Sequence, residues 1–308
     1  MAGANSNTIS LIKKYNFPIQ KKYGQNFLID DNILHGIVNA SGTGPDDIVL
    51  EIGPGLGAMT GLLCRRAAHV IAVEIDRLLI PVLNETLADY DNLTLINDDI
   101  LKVNIEDAFG NAKEQVRNKN HLPDEVHQDG SDGVKKADSK KLKVAANLPY
   151  YITTPVIMQL LEKEKCIDSI TVMVQKEVAQ RMSEKPGSKS YGALSLAVEY
   201  YAKAQYVMTV SHNCFLPKPD VDSAVIRLDI YDPDERPVRV KDPERMFAVI
   251  RAAFNQRRKT LVNAVSNAPG LNISKDQVKQ ALSQMQLPDS IRGEALTLEE
   301  YAMLSELF

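Results

Sequence analysis

The chain has 308 residues, 44% hydrophobic and 25% charged, which excludes a wholly disordered or fibrous protein. With 36 Lys and Arg against 40 Asp and Glu, the formal net charge is -4, so any nucleic-acid partner has to be held by local basic patches. Cys64, Cys166 and Cys214 form no CxxC pair and the five histidines no HxH or HExxH spacing, so neither a disulfide framework nor a metal site is expected. No apolar run approaches the roughly 18 residues that span a bilayer. The N-terminus lacks the apolar stretch of a signal peptide, and a cytoplasmic protein is expected.

Residues 1–29 carry Lys13, Lys14, Lys21 and Lys22 and no acid, which reads as a flexible basic tail. A regular alternation follows. Asp30 or Asp31 caps a helix with Ile33, Leu34, Ile37 and Val38 on one face, ended by Gly42. Residues 47–52 read as a buried strand, then come the loop Gly53-Pro-Gly-Leu-Gly57 and a helix from about Ala58 to Ala67. A strand at 69–73 closed by Glu74, a helix through Leu87 and a strand at 93–96 complete the first half. Strands alternating with helices predict crossover units and a mostly parallel sheet.

The pattern pauses from Gly110 to Lys141, a polar stretch that includes Gln128-Asp-Gly-Ser-Asp-Gly133. It reads as an insertion whose second half is a mobile surface loop. The alternation resumes with a strand at 142–146, ended by Asn147-Leu-Pro-Tyr150, a helix near 155–162, a strand at 170–174 and a helix at 176–182. Residues 190–203 read as helical, 206–210 as extended and 223–231 as a last strand. The breaker cluster Asp232-Pro-Asp-Glu-Arg-Pro237 sets a boundary between an α/β domain, 1–233, and a C-terminal helical domain, 234–308. Helices are predicted in the latter at 243–254, 257–266, 274–285 and 298–307.

The glycines at 53, 55 and 57, between a strand and a helix, let the backbone approach a ligand. Glu74 follows Gly53 by 21 residues at the next strand's end, where an acid binds both hydroxyls of an adenosine ribose. Asp99, after the third strand, can accept a bond from an adenine amino group. All lie at the carboxyl edge of the sheet, where open α/β folds bind ligands. To this point a nicotinamide dehydrogenase and a methyltransferase fit equally. Asn147-Leu-Pro-Tyr150 separates them. Adenine N6 is a poor nucleophile because its lone pair is delocalised into the ring. Asn147 Oδ1 and the Leu148 carbonyl could accept its hydrogens and stabilise the developing charge. Pro149 removes a competing donor and fixes the turn, and Tyr150 offers a face for stacking.

The sequence resembles the bacterial 16S ribosomal RNA adenine N6,N6-dimethyltransferases. The resemblance runs from about Lys21 to Leu307 through Lys22-Tyr-Gly-Gln-Asn-Phe-Leu28, Glu51-Ile-Gly-Pro-Gly55, Glu74-Ile-Asp76, Asn147-Leu-Pro-Tyr-Tyr151 and Gln175-Lys-Glu-Val178. It continues in Phe215-Leu-Pro-Lys-Pro-Asp-Val-Asp-Ser-Ala224 and Phe254-Asn-Gln-Arg-Arg-Lys-Thr-Leu261. It implies a Rossmann-like S-adenosylmethionine-dependent methyltransferase sheet with a small all-helical domain, acting on two adjacent adenines near the 3′ end of small-subunit RNA during subunit biogenesis. By the same resemblance Asn26 and Leu28 would cover the donor, Gly53 line it, Glu74 hold its ribose, Asp99 its adenine and Asn147 its reacting end. Phe215 would stack opposite Tyr150 and clamp the flipped base.

Arg236 to Lys259 gathers eight Lys and Arg against Asp242 and Glu244. Arg257, Arg258 and Lys259 open a predicted helix, a poor place for cations beside the helix dipole. That cost points, with Lys21 and Lys22, to contacts with RNA phosphates. A monomer is expected. Large-subunit adenine methylases and a non-catalytic RNA-binding assembly factor are the rival readings.

Overall fold

The computed structural model describes residues 4–15, 24–119 and 141–308. Lys21, Lys22 and the expected loop of the insertion's second half lie outside these residues. The chain divides into two compact units, one of residues up to 176 with 205–229, the other of 177–204 with 230–308. A single boundary at 233/234 therefore misses one excursion, because residues 177–204 group with the C-terminal helices.

The first unit opens with α1 (Ala4–Lys14), where composition predicts a flexible tail, and a two-residue strand, β1 (Phe27–Leu28). In α2 (Asp31–Ala40) the Asp30 side chain caps the Asn32 N–H, and Leu34, Ile37 and Val38 are buried. The crossover pattern then runs β2 (Ile48–Ile52), α3 (Ala58–Cys64), β3 (His69–Val73), α4 (Ile80–Thr86), β4 (Leu93–Ile96), α5 (Ile105–Lys119) and β5 (Leu142–Asn147). It continues through α6 (Thr153–Glu162) and β6 (Ile167–Gln175); the chain then runs through α7 (Lys176–Met182) and α8 (Ala193–Tyr201), which fall almost wholly in the second unit, and on through β7 (Ala202–Val210), β8 (Phe215–Leu216) and β9 (Ser223–Ile230). Helix α5 extends ten residues into the polar insertion, from Gly110 to Lys119. Burial of Ile105, Phe109 and Ala112, on one face at helical spacing, suffices to seat it.

Seven strands form one sheet in the order β4-β3-β2-β5-β6-β9-β7. β2 pairs in parallel with both β3 and β5, β3 with β4, and β5 with β6; β9 joins β6 antiparallel. Every residue of β2 and β3 is buried, as a parallel sheet covered on both faces requires. The chain proceeds outward from β2 on one side through β3 and β4, and on the other through β5 and β6. The gap between β2 and β5 is thus the switch point, where such sheets open a crevice at their carboxyl ends. β1 and β8 form a separate antiparallel ribbon, Phe27 opposite Leu216 and Leu28 opposite Phe215.

The second unit is mainly helical: α8, α9 (Pro243–Asn255), α10 (Leu261–Ser266), α11 (Lys275–Gln284) and α12 (Leu298–Glu306). Ser274 with Gln277, and Thr297 with Glu300, form capping boxes that start the last two helices. Aromatic packing explains why 177–204 belong here: Tyr200 and Tyr201 contact Phe247 on α9, and Tyr191 meets Phe254 edge-on at 5.8 Å. The Tyr191 and Tyr301 hydroxyls donate to the Leu296 and Gly293 carbonyls. Burial pushes the Tyr191 hydroxyl well above its ordinary value by removing water from its anion, so it stays protonated as a donor.

Candidate active site

The carboxyl ends of β2, β3, β4 and β5 border one cavity in the first unit, with about 1300 Å³ of empty space counting its open mouth. It is large enough for a nucleoside-sized ligand. Four short segments with different backbone requirements build its wall.

After β2, Gly53 and Gly55 adopt left-handed backbone angles, φ 71° and 59°, which side-chain-bearing residues adopt at a cost. Both line the cavity. At Gly55 a Cβ would press to 3.3 Å from the Phe27 ring. Gly57 behaves differently. It is absent from the lining and begins α3, and a Cβ there would meet Leu83 and Leu87 side chains at 3.2 and 3.1 Å. Its place among the cofactor-binding residues is therefore corrected: a left-handed backbone (φ 82°) and close packing of the loop on α4 are what need this glycine.

After β3, Glu74 is buried and accepts bonds from the Asp76 N–H at 2.8 Å and the Gly55 N–H at 3.2 Å. Burial raises its carboxyl to about 7, and those two N–H groups hold it back from going higher. After β4, Asp99 lines the cavity and its Oδ1 accepts the Leu101 N–H at 3.1 Å. The neighbouring Asn97 amide donates to the Glu74 carbonyl at 2.7 Å, tying the two strand ends together.

After β5, Asn147, Leu148, Pro149 and Tyr150 all line the cavity. The Asn147 Nδ2 donates to the Asn26 carbonyl at 3.3 Å, which turns the acceptor Oδ1 to the opposite side of the amide. The Tyr150 hydroxyl meets the Ser223 hydroxyl at 2.8 Å, fixing the far end of its ring. Burial raises the Tyr150 phenol above its ordinary value. Asn26 and Leu28 complete the wall, and the Gln25 amide braces their segment by donating to Asp76 at 2.7 Å.

Two expectations do not survive the geometry. Phe215 is 1% exposed and packs in the core with Leu28, Leu34 and Ile37 instead of lining the cavity. A two-residue strand has no periodicity to reveal which face a side chain takes, and pairing with β1 turns this one inward. No stacking partner stands opposite Tyr150 from that position. Arg257, Arg258 and Lys259 also do not open a helix. They lie in the turn after α9, and α10 begins at Leu261 behind the cap supplied by Thr260. These cations therefore face no opposing helix N-terminus of their own, and Arg257 is bound to Glu294 at 3.2 Å and to the Lys189 carbonyl at 3.0 Å.

Sequence reasoning misses Glu51. It lines the cavity from within β2, is 1% exposed, and neither carboxylate oxygen has a hydrogen-bond partner among the described residues. Burial lifts its carboxyl to about 8; the nearby Thr60 hydroxyl opposes this without reaching hydrogen-bond geometry, and Glu74 adds to it. A lone acid inside Ile-Val-Leu-Glu-Ile is the signal that could have found it, since Glu is almost never fully buried unpaired. Unpartnered carboxyl oxygens beside glycines that line the cavity fit a polar, nucleoside-bearing donor. Among the described residues no three His, Cys, Asp or Glu side chains group as metal ligands, and no helix is long and apolar enough to cross a membrane.

A family model described as ribosomal RNA adenine dimethylase matches residues 16–305. The chain is 49% identical over 306 residues to the ribosomal RNA small subunit methyltransferase A of Lachnoclostridium phytofermentans, covering 99% of this chain and 97% of that one. It is 44% identical over 304 residues to the protein of that name from Bacillus cytotoxicus, covering 97% and 94%. In fold it resembles a dimethyladenosine transferase from Plasmodium falciparum, with TM-score 0.64, 23% identity, and coverage of 90% of this chain and 95% of that one. The 23S rRNA methyltransferase ErmE follows with TM-score 0.58, 23% identity and coverage of 92% and 99%.

Proposed function

Because the chain belongs to the ribosomal RNA adenine dimethylase family, we propose that it dimethylates N6 of two adjacent adenines near the 3′ end of small-subunit ribosomal RNA, using S-adenosylmethionine bound in the cavity. One observation carries this reading. The Asn147–Tyr150 turn opens into the same cavity as Glu74 and Asp99, so base and donor acids share one wall.

Bound there, S-adenosylmethionine supplies an electrophilic methyl group. The residues of this chain do the rest. Glu74 and Asp99 take the polar edges of an adenosyl group, and Gly53 and Gly55 admit it to the backbone. Asn147 Oδ1 and the Leu148 carbonyl accept the two N6 hydrogens of the target base, favouring the pyramidal nitrogen that attacks. Tyr150, held by Ser223, stacks on the extruded base. The nitrogen, once alkylated, is acidic enough to release its proton to water, so no strong general base is needed.

For the RNA surface, Arg258 and Lys259 remain the proposed phosphate contacts with Lys21 and Lys22, whereas the ion pair of Arg257 with Glu294 gives it a structural task. The whole reading is tested by incubating undermethylated small subunits with the protein and labelled donor, then digesting the RNA. N6,N6-dimethyladenosine in the small-subunit RNA supports it. Methylation confined to large-subunit RNA would favour the rival ErmE-like activity, and subunit binding without methyl transfer would favour an assembly factor.

A further inference from the structure

Helix α1, in a stretch whose composition predicts only a tail, forms part of the donor cavity. Thr8, Leu11, Ile12 and Tyr15 recur at i, i+3, i+4 and i+7 and so share one helix face. The three apolar members pack against the cluster of Phe27, Leu56, Leu79, Val82, Leu83 and Leu87. Phe27, Leu56 and Leu79 are themselves cavity wall. Docking this stripe carries its one aliphatic hydroxyl inward: Thr8 is 2% exposed, lines the cavity, and its Oγ1 has no hydrogen-bond partner among the described residues. A mid-helix threonine can satisfy itself on the carbonyl one turn back, and this one does not.

We propose that Thr8 is a donor-binding residue, its hydroxyl hydrogen-bonding a polar edge of the adenosyl donor, and that docking of α1 closes this part of the donor site. The proposal rests on the donor-site reading above. A buried hydroxyl without a partner is destabilising, and a polar edge of a bound ligand would supply that partner. The Lys14–Glu85 ion pair at 2.7 Å joins the helix end to α4, but with both side chains 58% exposed the apolar stripe carries the docking.

The test is calorimetric titration of the full chain with S-adenosylhomocysteine, together with thermal unfolding in its absence. Thr8→Val keeps the shape and removes the hydroxyl. Its affinity should fall by about 3- to 10-fold, the scale of one missing hydrogen bond, while the ligand-free protein melts at the same temperature or higher. Thr8→Ser should bind within about twofold of the unaltered chain. Leu11→Asp with Ile12→Asp, which undocks the helix, should weaken binding at least as much as Thr8→Val and speed ligand dissociation. Wild-type affinity in Thr8→Val, or an equal loss in Thr8→Ser, would overturn the role of the hydroxyl. Failure of the unaltered chain to bind would overturn the donor-site reading, and this proposal with it.

Discussion

Glu51 makes the cavity acid-sensitive in a direction opposite to most carboxylates. Its carboxyl rises from an ordinary 4.5 to about 8 because burial penalises the anion. By linkage that difference is worth at most about 5 kcal/mol. As pH climbs past the ordinary carboxylate value, unfolded chains release this proton while folded chains keep it. The folded state then binds more protons than the unfolded state, so stability falls with rising pH until Glu51 ionises in the folded protein near pH 8. Glu74, raised to about 7, acts with the same sign over a narrower window. Glu51→Gln has no proton to lose and nearly the same shape. Its stability advantage should be near zero at about pH 4.5 and grow to several kcal/mol by about pH 8. Urea unfolding followed by circular dichroism at intervals across that range measures this directly. Curves offset by the same amount at every pH would show that Glu51 is already ionised in the folded protein, and the reasoning would fail. A donor carrying an α-ammonium favours the ionised carboxylates. Binding of S-adenosylhomocysteine near neutral pH should therefore release protons, seen as an apparent enthalpy that differs between phosphate and Tris buffers.

Asn147→Ala should leave S-adenosylhomocysteine affinity nearly intact but cut turnover roughly 100-fold, the effect expected for removing one preorganised acceptor; near wild-type turnover would remove the turn from the mechanism. Glu74→Ala should do the reverse, weakening S-adenosylhomocysteine binding by about 1.5–3 kcal/mol, as for a hydrogen bond to a charged group, and unchanged affinity in calorimetry would refute the ribose assignment. Changing Arg258 and Lys259 to Ala should flatten the salt dependence of subunit binding by up to about 0.7–0.9 slope units for each phosphate left unneutralised, with donor binding unaffected. A wild-type slope would place the RNA surface elsewhere.

What the sequence reveals and what it hides divide by the range of the interaction. Strand ends are legible because β2, β3 and β5 are short runs of largely buried residues stopped by Gly53, Glu74 and Asn147, and each stop is a local event. The caps at Asp30, Ser274 and Thr297 are local too. Features fixed by distant partners are not legible. The packing of Gly57 depends on Leu83 and Leu87, Arg257 is engaged by a glutamate 37 residues away, and Phe215 is turned inward by pairing with Leu28. The start of α10 is obscured for a different reason: eight cations in the 24 residues from 236 to 259 suggest a charged helix face, while Thr260 is the residue that sets the boundary.

The ribbon of β1 and β8 joins residues roughly 190 positions apart, and this orders events while the chain is being made. At about 5–20 residues per second, Phe27 and Leu28 wait roughly 10–40 s after synthesis before residues 215 and 216 exist to pair with them. The sheet strands through β5 can assemble earlier, yet Phe27 and Leu28 gain their ribbon only after some two thirds of translation. A ribosome producing this protein thus carries a late intermediate in which the acids and glycines can be in place but Phe27 and Leu28 lack their ribbon partners. Truncation before residue 215 should leave such a form permanently.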